Sequence, residues 1–117
     1  MILLEHQFIF WGNVFSLTNH AHQRGWMIQA QELLRTKYQQ EEYIRTGQSL
    51  TVKGYHLKGL AIDLNMYKSG QWIQDKISLQ ELGDYWESLD SLNKWGGNWK
   101  TLYDFPHFER RAEEVWK

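Results

Sequence analysis

Between Leu60 and Asn65 the chain alternates without a break: Leu60, Ile62 and Leu64 on one side, Ala61, Asp63 and Asn65 on the other. A period of two predicts a half-buried strand with its apolar set toward a core. Asp63 then points away from that core, and the small Ala61 beside it leaves room. Gly59 follows Lys58 and predicts a tight turn, so His56 sits on a loop able to fold back over the strand. Near the end of the chain, Asp104-Phe105-Pro106-His107-Phe108-Glu109 supplies a second polar segment. On a flat strand Asp104 and His107 would face opposite ways, because their spacing is odd. Pro106 biases Phe105 out of the helical region, and a bend at Phe105-Pro106 is what brings both residues to one point. The two segments thus offer His-x6-Asp and Asp-x2-His. Two imidazoles and a carboxylate, His56, His107 and Asp63, are the donor set of an open zinc site, whose fourth position is left for water. Asp104 is then the candidate general base beside that water.

Length and composition limit the rest. At 117 residues the chain has room for one core and no second module, so we read residues 1–117 as a single domain. The net charge of −1 provides no basic field for nucleic acid. There is no cysteine, hence neither a disulfide framework nor a thiolate site. Seven tryptophans are many for this length; most are expected in a core that compensates for small size with large side chains. Met1-Ile2-Leu3-Leu4 is apolar, but Glu5, His6 and Gln7 interrupt it and no basic segment precedes it, so no signal peptide is expected. No apolar run is long enough to cross a bilayer. We therefore expect a chain made in the cytoplasm, without a membrane or nucleic-acid partner, and monomeric.

Leu4, Phe8, Trp11 and Phe15 recur at helical spacing and predict a helix over 4–24, capped by Gly25. His20 and His22 are two apart on that helix and face different ways, so both read as solvated; His6 shows no partner pattern. Trp26 to Glu32 alternates as a strand leading to Arg35. Thr36 with Gln39 reads as a capping box opening a helix to about Arg45, which ends at Gly47. Residues 48–59 form a loop carrying Ser49 and His56. The strand over 60–67 turns at Lys68-Ser69-Gly70 into Gln71-Trp72-Ile73, a hairpin. Ser78 with Glu81 is a second capping box, and Leu79, Leu82, Trp86 and Leu89 mark a helix face. Trp95-Gly96-Gly97 enters a last strand, where Gly96 and Gly97 allow a bulge or a close backbone approach. Residues 110–117 form a charged tail. Helices with short, mostly antiparallel strands make the class α+β.

The two polar segments resemble a known family, the zinc D-Ala-D-Ala carboxypeptidases and L-alanyl-D-glutamate endopeptidases, which includes phage endolysins and vancomycin-resistance peptidases. Its pattern is Ser-x-His-x2-Gly-x-Ala-x-Asp, then Trp-Gly-Gly-x-Trp or Phe, then Asp or Glu-x2-His-Phe-Glu. Here stand His56, Gly59, Ala61 and Asp63, then Trp95-Gly96-Gly97-Asn98-Trp99, then Asp104, His107, Phe108 and Glu109. The resemblance also takes in Glu32-x2-Arg35-Thr36, Gln39, Gln40, Gly47 and Ser49, and so covers about residues 25–109. One position departs: the family has Ser two residues before its first histidine, where this chain has Gly54.

The resemblance implies a hedgehog/DD-peptidase-like zinc peptidase fold, a short sheet flanked by helices, with one zinc per chain on His56, Asp63 and His107. It implies a base at Asp104 and an oxyanion- or carboxylate-holding arginine at Arg35. Gln39, Ser49 and Trp95 are its candidate substrate contacts. For Gln39 a capping role stands equally open, and for Trp95 and Trp99 a place in the core. Glu109 either holds a ligand histidine in orientation from behind or is a rim charge. The implied reaction is hydrolysis of peptidoglycan stem peptides, first of all the L-Ala-D-Glu bond. An unsecreted enzyme of this kind would reach the wall by holin-type release, as a phage endolysin does. The alternatives are a D-Ala-D-Ala carboxypeptidase or dipeptidase and, outside the enzymes, a zinc-containing module that binds wall or protein.

Overall fold

The computed structural model describes residues 1–32, Arg45 and 54–116. Helix α1 runs over Leu3–Gln23 and is closed by Gly25 at φ 89°. Its buried side is His6, Phe10, Val14, Leu17 and Ala21. The stripe that predicts the helix is therefore not the one that docks it. Leu4, Phe8, Trp11 and Phe15 face outward, Phe8 with 80% of its surface exposed and Phe15 with 74%. Both series satisfy the helical period. The second wins because Phe10 meets the edge of Trp86 at 5.7 Å, and Trp86 in turn meets Phe108 at 5.8 Å, in edge-to-face contacts at the centre of the core.

Strand β1 (Met27–Glu32) pairs antiparallel with β2 (Ala61–Lys68), with a register shift between Ala30 and Glu32. β2 turns through Ser69 and Gly70, both at positive φ, into β3 (Gln71–Ile73), the expected hairpin. Helix α2 covers Lys76–Leu89, then come β4 (Asn93–Trp95), a 3₁₀ turn at Gly96–Asn98, β5 (His107–Arg110) and a closing 3₁₀ turn at Glu113–Trp116. The sheet order is β1-β2-β5-β4, with β3 also on β2 and every pairing antiparallel. This is the expected α+β domain, an open antiparallel sheet with helices packed on it. Among the described residues no helix is long and apolar enough to cross a membrane.

Two local expectations give way. The cap of α2 is Asp75, whose Oδ2 accepts from Ser78 N at 2.8 Å, and not the Ser78–Glu81 box. Glu81 is drawn elsewhere: it accepts the Trp26 indole N–H at 3.0 Å and lies 3.5 Å from Arg24 Nε. Strand β2 is not half-buried, since Ala61 through Met66 are all buried. One of its faces packs in the core; the other carries Ala61, Asp63 and Asn65 beneath the polar cluster described next. The helix expected over Thr36–Arg45 and its end at Gly47 fall outside the described residues, save Arg45 itself, which is helical and exposed.

Candidate metal centre

Three separate pieces of chain deliver the cluster. His56 lies on a 3₁₀ turn, Tyr55–Lys58, closed by Gly59 N–H to His56 O at 3.2 Å and Leu60 N–H to Tyr55 O at 3.0 Å. Gly59 has φ 66°, and a Cβ there would stand 3.0 Å from Gln7 Nε2. The same Gln7 amide donates to Lys58 O at 2.8 Å, so α1 clamps the turn that presents His56. The expected loop is thus a short, pinned helix. Gly54, in place of the family's serine, precedes it in extended conformation.

Asp63 and His107 come from directly paired positions of β2 and β5, where opposed side chains share a face. Ala61 opposes Glu109 in the same register, and its single methyl leaves the space in which the Glu109 carboxylate reaches back to His107. The bend before β5 is present: His107 N–H donates to Asp104 O at 3.1 Å. Its other acceptors are also occupied, Phe105 O by the Trp95 indole at 2.8 Å and Pro106 O by Leu64 N–H at 2.8 Å. Asp104 N–H donates to Gly96 O at 3.1 Å. A Cβ at Gly96 would fall 2.2 Å from Asp104 O, so the close approach expected of this glycine is what seats Asp104 against β4.

Inside the cluster the donors converge. His107 Nδ1 lies 3.1 Å and His56 Nε2 3.3 Å from the same oxygen, Asp63 Oδ1. One donor atom from each of the three residues lies within 4.8 Å of the others, and all three residues are buried. His56 is 1% exposed, yet neither of its ring nitrogens makes a hydrogen bond. A buried imidazole with both nitrogens unsatisfied is costly unless something else fills the site. Two imidazoles and a carboxylate aimed at one point fit a divalent transition metal. His107 Nε2 lies 2.7 Å from Glu109 Oε1, and Glu109 Oε2 accepts from Arg111 Nε at 2.9 Å. That bond leaves Nδ1 of His107 as the nitrogen turned toward Asp63 and His56.

The charges follow from this packing. Burial pushes Asp63 up, but the His107 hydrogen bond, the close approach of His56 Nε2 and the charge of both rings hold it well below the usual carboxylate range. Burial pushes His107 down, yet hydrogen bonds to Asp63 and Glu109, and their charges, raise it to about 10. Glu109 is likewise held low, against burial, by its bond to His107 and the charges of His107 and Arg111. With both ring nitrogens protonated, His107 would donate from Nδ1 to Asp63 and from Nε2 to Glu109.

The structure brings His56, Asp63, His107 and Glu109 together, with Asp104 half-buried at the other end of the His107 turn. Arg35, Gln39 and Ser49 lie outside the described residues. Trp95 takes the core place that the sequence left open for it: it is 0% exposed, its ring lies against Gly83 and Gly97, and its indole props the 104–107 turn from beneath. Trp99 is the aromatic beside the cluster, its ring 5.0 Å from that of His107. Arg111 and Gln7 were not singled out in the sequence. Arg111 stands two residues past Glu109, a same-side spacing that was available as a signal; Gln7 left none.

The family model described as D-alanyl-D-alanine carboxypeptidase matches residues 47–110. An L-alanyl-D-glutamate peptidase of Listeria phage A118 is 35% identical over 80 residues, which is 67% of this chain and 28% of the relative. The chain thus spans little more than a quarter of that relative's length. The crystal structure of the Serratia marcescens L-Ala D-Glu endopeptidase superposes with a TM-score of 0.62 at 28% identity, over 74% of this chain and 68% of that one.

Proposed function

Since the chain belongs to the D-alanyl-D-alanine carboxypeptidase family, we propose that it is a zinc-dependent peptidase of peptidoglycan stem peptides that cuts the L-Ala-D-Glu bond. The observation that carries this reading is the buried convergence of His56, Asp63 and His107, with the His56 ring otherwise unpartnered. The names of the Listeria phage and Serratia relatives favour the endopeptidase over the carboxypeptidase. In this reading His56 Nε2, Asp63 and His107 Nδ1 hold one zinc. Bound there, zinc supplies Lewis acidity that lowers the pKa of a water to about 7 and polarises a carbonyl.

The protein groups would do the rest. Asp104 accepts the proton of the attacking water as its oxygen bonds to the scissile carbon, and delivers it to the amine as the C–N bond breaks. Glu109 fixes the His107 ring by accepting at Nε2, and Arg111 keeps Glu109 ionised. Arg35 offers a planar fork of donors to a developing oxyanion or a substrate carboxylate, with Gln39 and Ser49 as further contacts. One chain supplies all three metal donors, so a monomer suffices.

Digestion of purified sacculi, with mass spectrometry of the products, tests the proposal. New amino-terminal D-Glu is the expected product. Release of D-Ala alone would assign the carboxypeptidase, and no release by zinc-loaded protein would leave a binding module.

A further inference from the structure

The sheet face that carries the cluster continues beyond it. Glu109 is paired with Ala61 on one side and with Lys94 on the other, so Ala61, Glu109 and Lys94 form one row across β2, β5 and β4 and project to one face. The row beside it is Asp63 and His107. Past Trp99, this face opens into a groove of about 510 Å³ whose lining includes Lys94, Lys100, Arg111 and Glu87. Three cations therefore meet one carboxylate. Arg111 is engaged by Glu109, and Glu87 Oε2 accepts the Trp95 backbone N–H at 2.9 Å. Lys94 and Lys100 make no ion pair among the described residues, so the described lining of this groove carries more positive than negative charge next to the cluster.

That charge has a counterpart in the proposed substrate. A glutamate residue carries two carboxyl groups and can use only one of them to continue a chain. Whichever it uses, the other stays as an oxyanion within one residue of an Ala–Glu bond. We infer that the groove of Lys94, Lys100 and Arg111 is a subsite for this free carboxylate, on the amine side of the scissile bond. The inference rests on the peptidase reading above. It separates two tasks: the cluster acts on the peptide bond, and the groove selects an acidic residue just beyond it. Trp99, standing between His107 and the groove, is the shared wall. A phosphate of an anionic wall polymer offers the same oxyanion chemistry, and the test separates the two sources.

Zinc-loaded protein is titrated by calorimetry, in about 50 mM salt where screening is weak, with two stem-peptide analogues whose Ala–Glu amide is N-methylated to block cleavage. One has the glutamate carboxyl free and the other has it amidated; a glycerol-phosphate oligomer is the third probe. The wild type should bind the free-carboxylate analogue about fivefold more tightly than the amide, the order expected of two partly exposed charge contacts. In Lys94→Gln/Lys100→Gln that preference should fall below about twofold, with thermal unfolding unchanged because both side chains are exposed. A preference that survives the double substitution, or its absence in a wild type that still cuts sacculi, overturns the subsite alone. Loss of oligomer binding with the carboxylate preference intact overturns it in favour of the wall polymer. A wild type that neither binds the analogues nor cuts sacculi overturns the peptidase reading and the subsite together.

Discussion

His6 and His56 are both buried histidines, and they serve opposite ends. His6 is saturated: its Nδ1 accepts from Arg110 Nε at 3.1 Å, and its Nε2 bonds the Glu114 carboxylate. Arg110 continues the network to Asp90 Oδ2 at 2.9 Å, and Asn93 donates to Trp86 O and Asn13 Oδ1 nearby. His56 is equally enclosed and makes no hydrogen bond at either nitrogen. The two polar groups even share β5, whose alternation sends His107 and Glu109 to one face and Arg110 to the other. Burial of a histidine does not mark a site. A buried imidazole that folding leaves unsatisfied does, because that cost is tolerated only where another atom completes the arrangement.

The largest test of the contrast is a pair of substitutions. His56→Ala should lose most of its metal by elemental analysis and fall to background hydrolysis, while the metal-free protein unfolds no earlier than wild type. His6→Ala should do the reverse: full metal content, and a loss of about 2–3 kcal/mol in denaturant unfolding as Arg110 and Glu114 lose their partner. Metal loss in His6→Ala, or destabilised metal-free His56→Ala, would break the distinction.

Asp104→Asn comes next. The amide cannot take a proton, so turnover should drop on the order of 10² or more with zinc retained. Wild-type turnover in this variant would disqualify Asp104 as the base and direct attention to Glu109.

Glu109→Gln removes the charge behind His107 but no ligand. Metal affinity, read by competition with a chromophoric chelator, should weaken about 10–100-fold, the usual worth of a carboxylate that orients a ligand histidine. An unchanged affinity would reduce Glu109 to a rim charge.

The smallest effect belongs to the network around His6 and depends on pH. Burial pushes Asp90 up, but the Leu92 N–H and Arg110 hold its carboxyl below the usual range. A carboxyl whose pKa is lower folded than unfolded stabilises the protein above its unfolded value, near 3.9, and loses that contribution as pH falls through the folded value. Asp90→Asn should therefore cost about 1–2 kcal/mol at pH 7. The wild-type and variant stabilities should converge as pH falls past the carboxyl's unfolded value and through its lower folded one. A gap that stays constant over that range would assign the loss to packing instead of charge.

The convergence of the candidate metal ligands was legible and much of the scaffold was not, for a physical reason. A metal accepts few donor types, so His56, Asp63 and His107 at their spacings, with the Phe105-Pro106 bend between Asp104 and His107, could be read in one dimension. The hairpin at Ser69-Gly70 and the ends of α1 were equally local. Residue type and nearest neighbours thus determined which side chains are candidates for chemistry and where several elements begin. Which side of an element faces inward was decided only by the tertiary structure. Two stripes on α1 satisfy the same period, and Trp86 and Phe108, far along the chain, chose the one containing Phe10. Asp75 became the cap of α2 because Trp26 and Arg24 claimed Glu81. His6 found Arg110 and Glu114 more than a hundred residues away, partners that no local spacing encodes. Burial and hydrogen bonding are satisfied between elements, so they become visible only once the chain has packed.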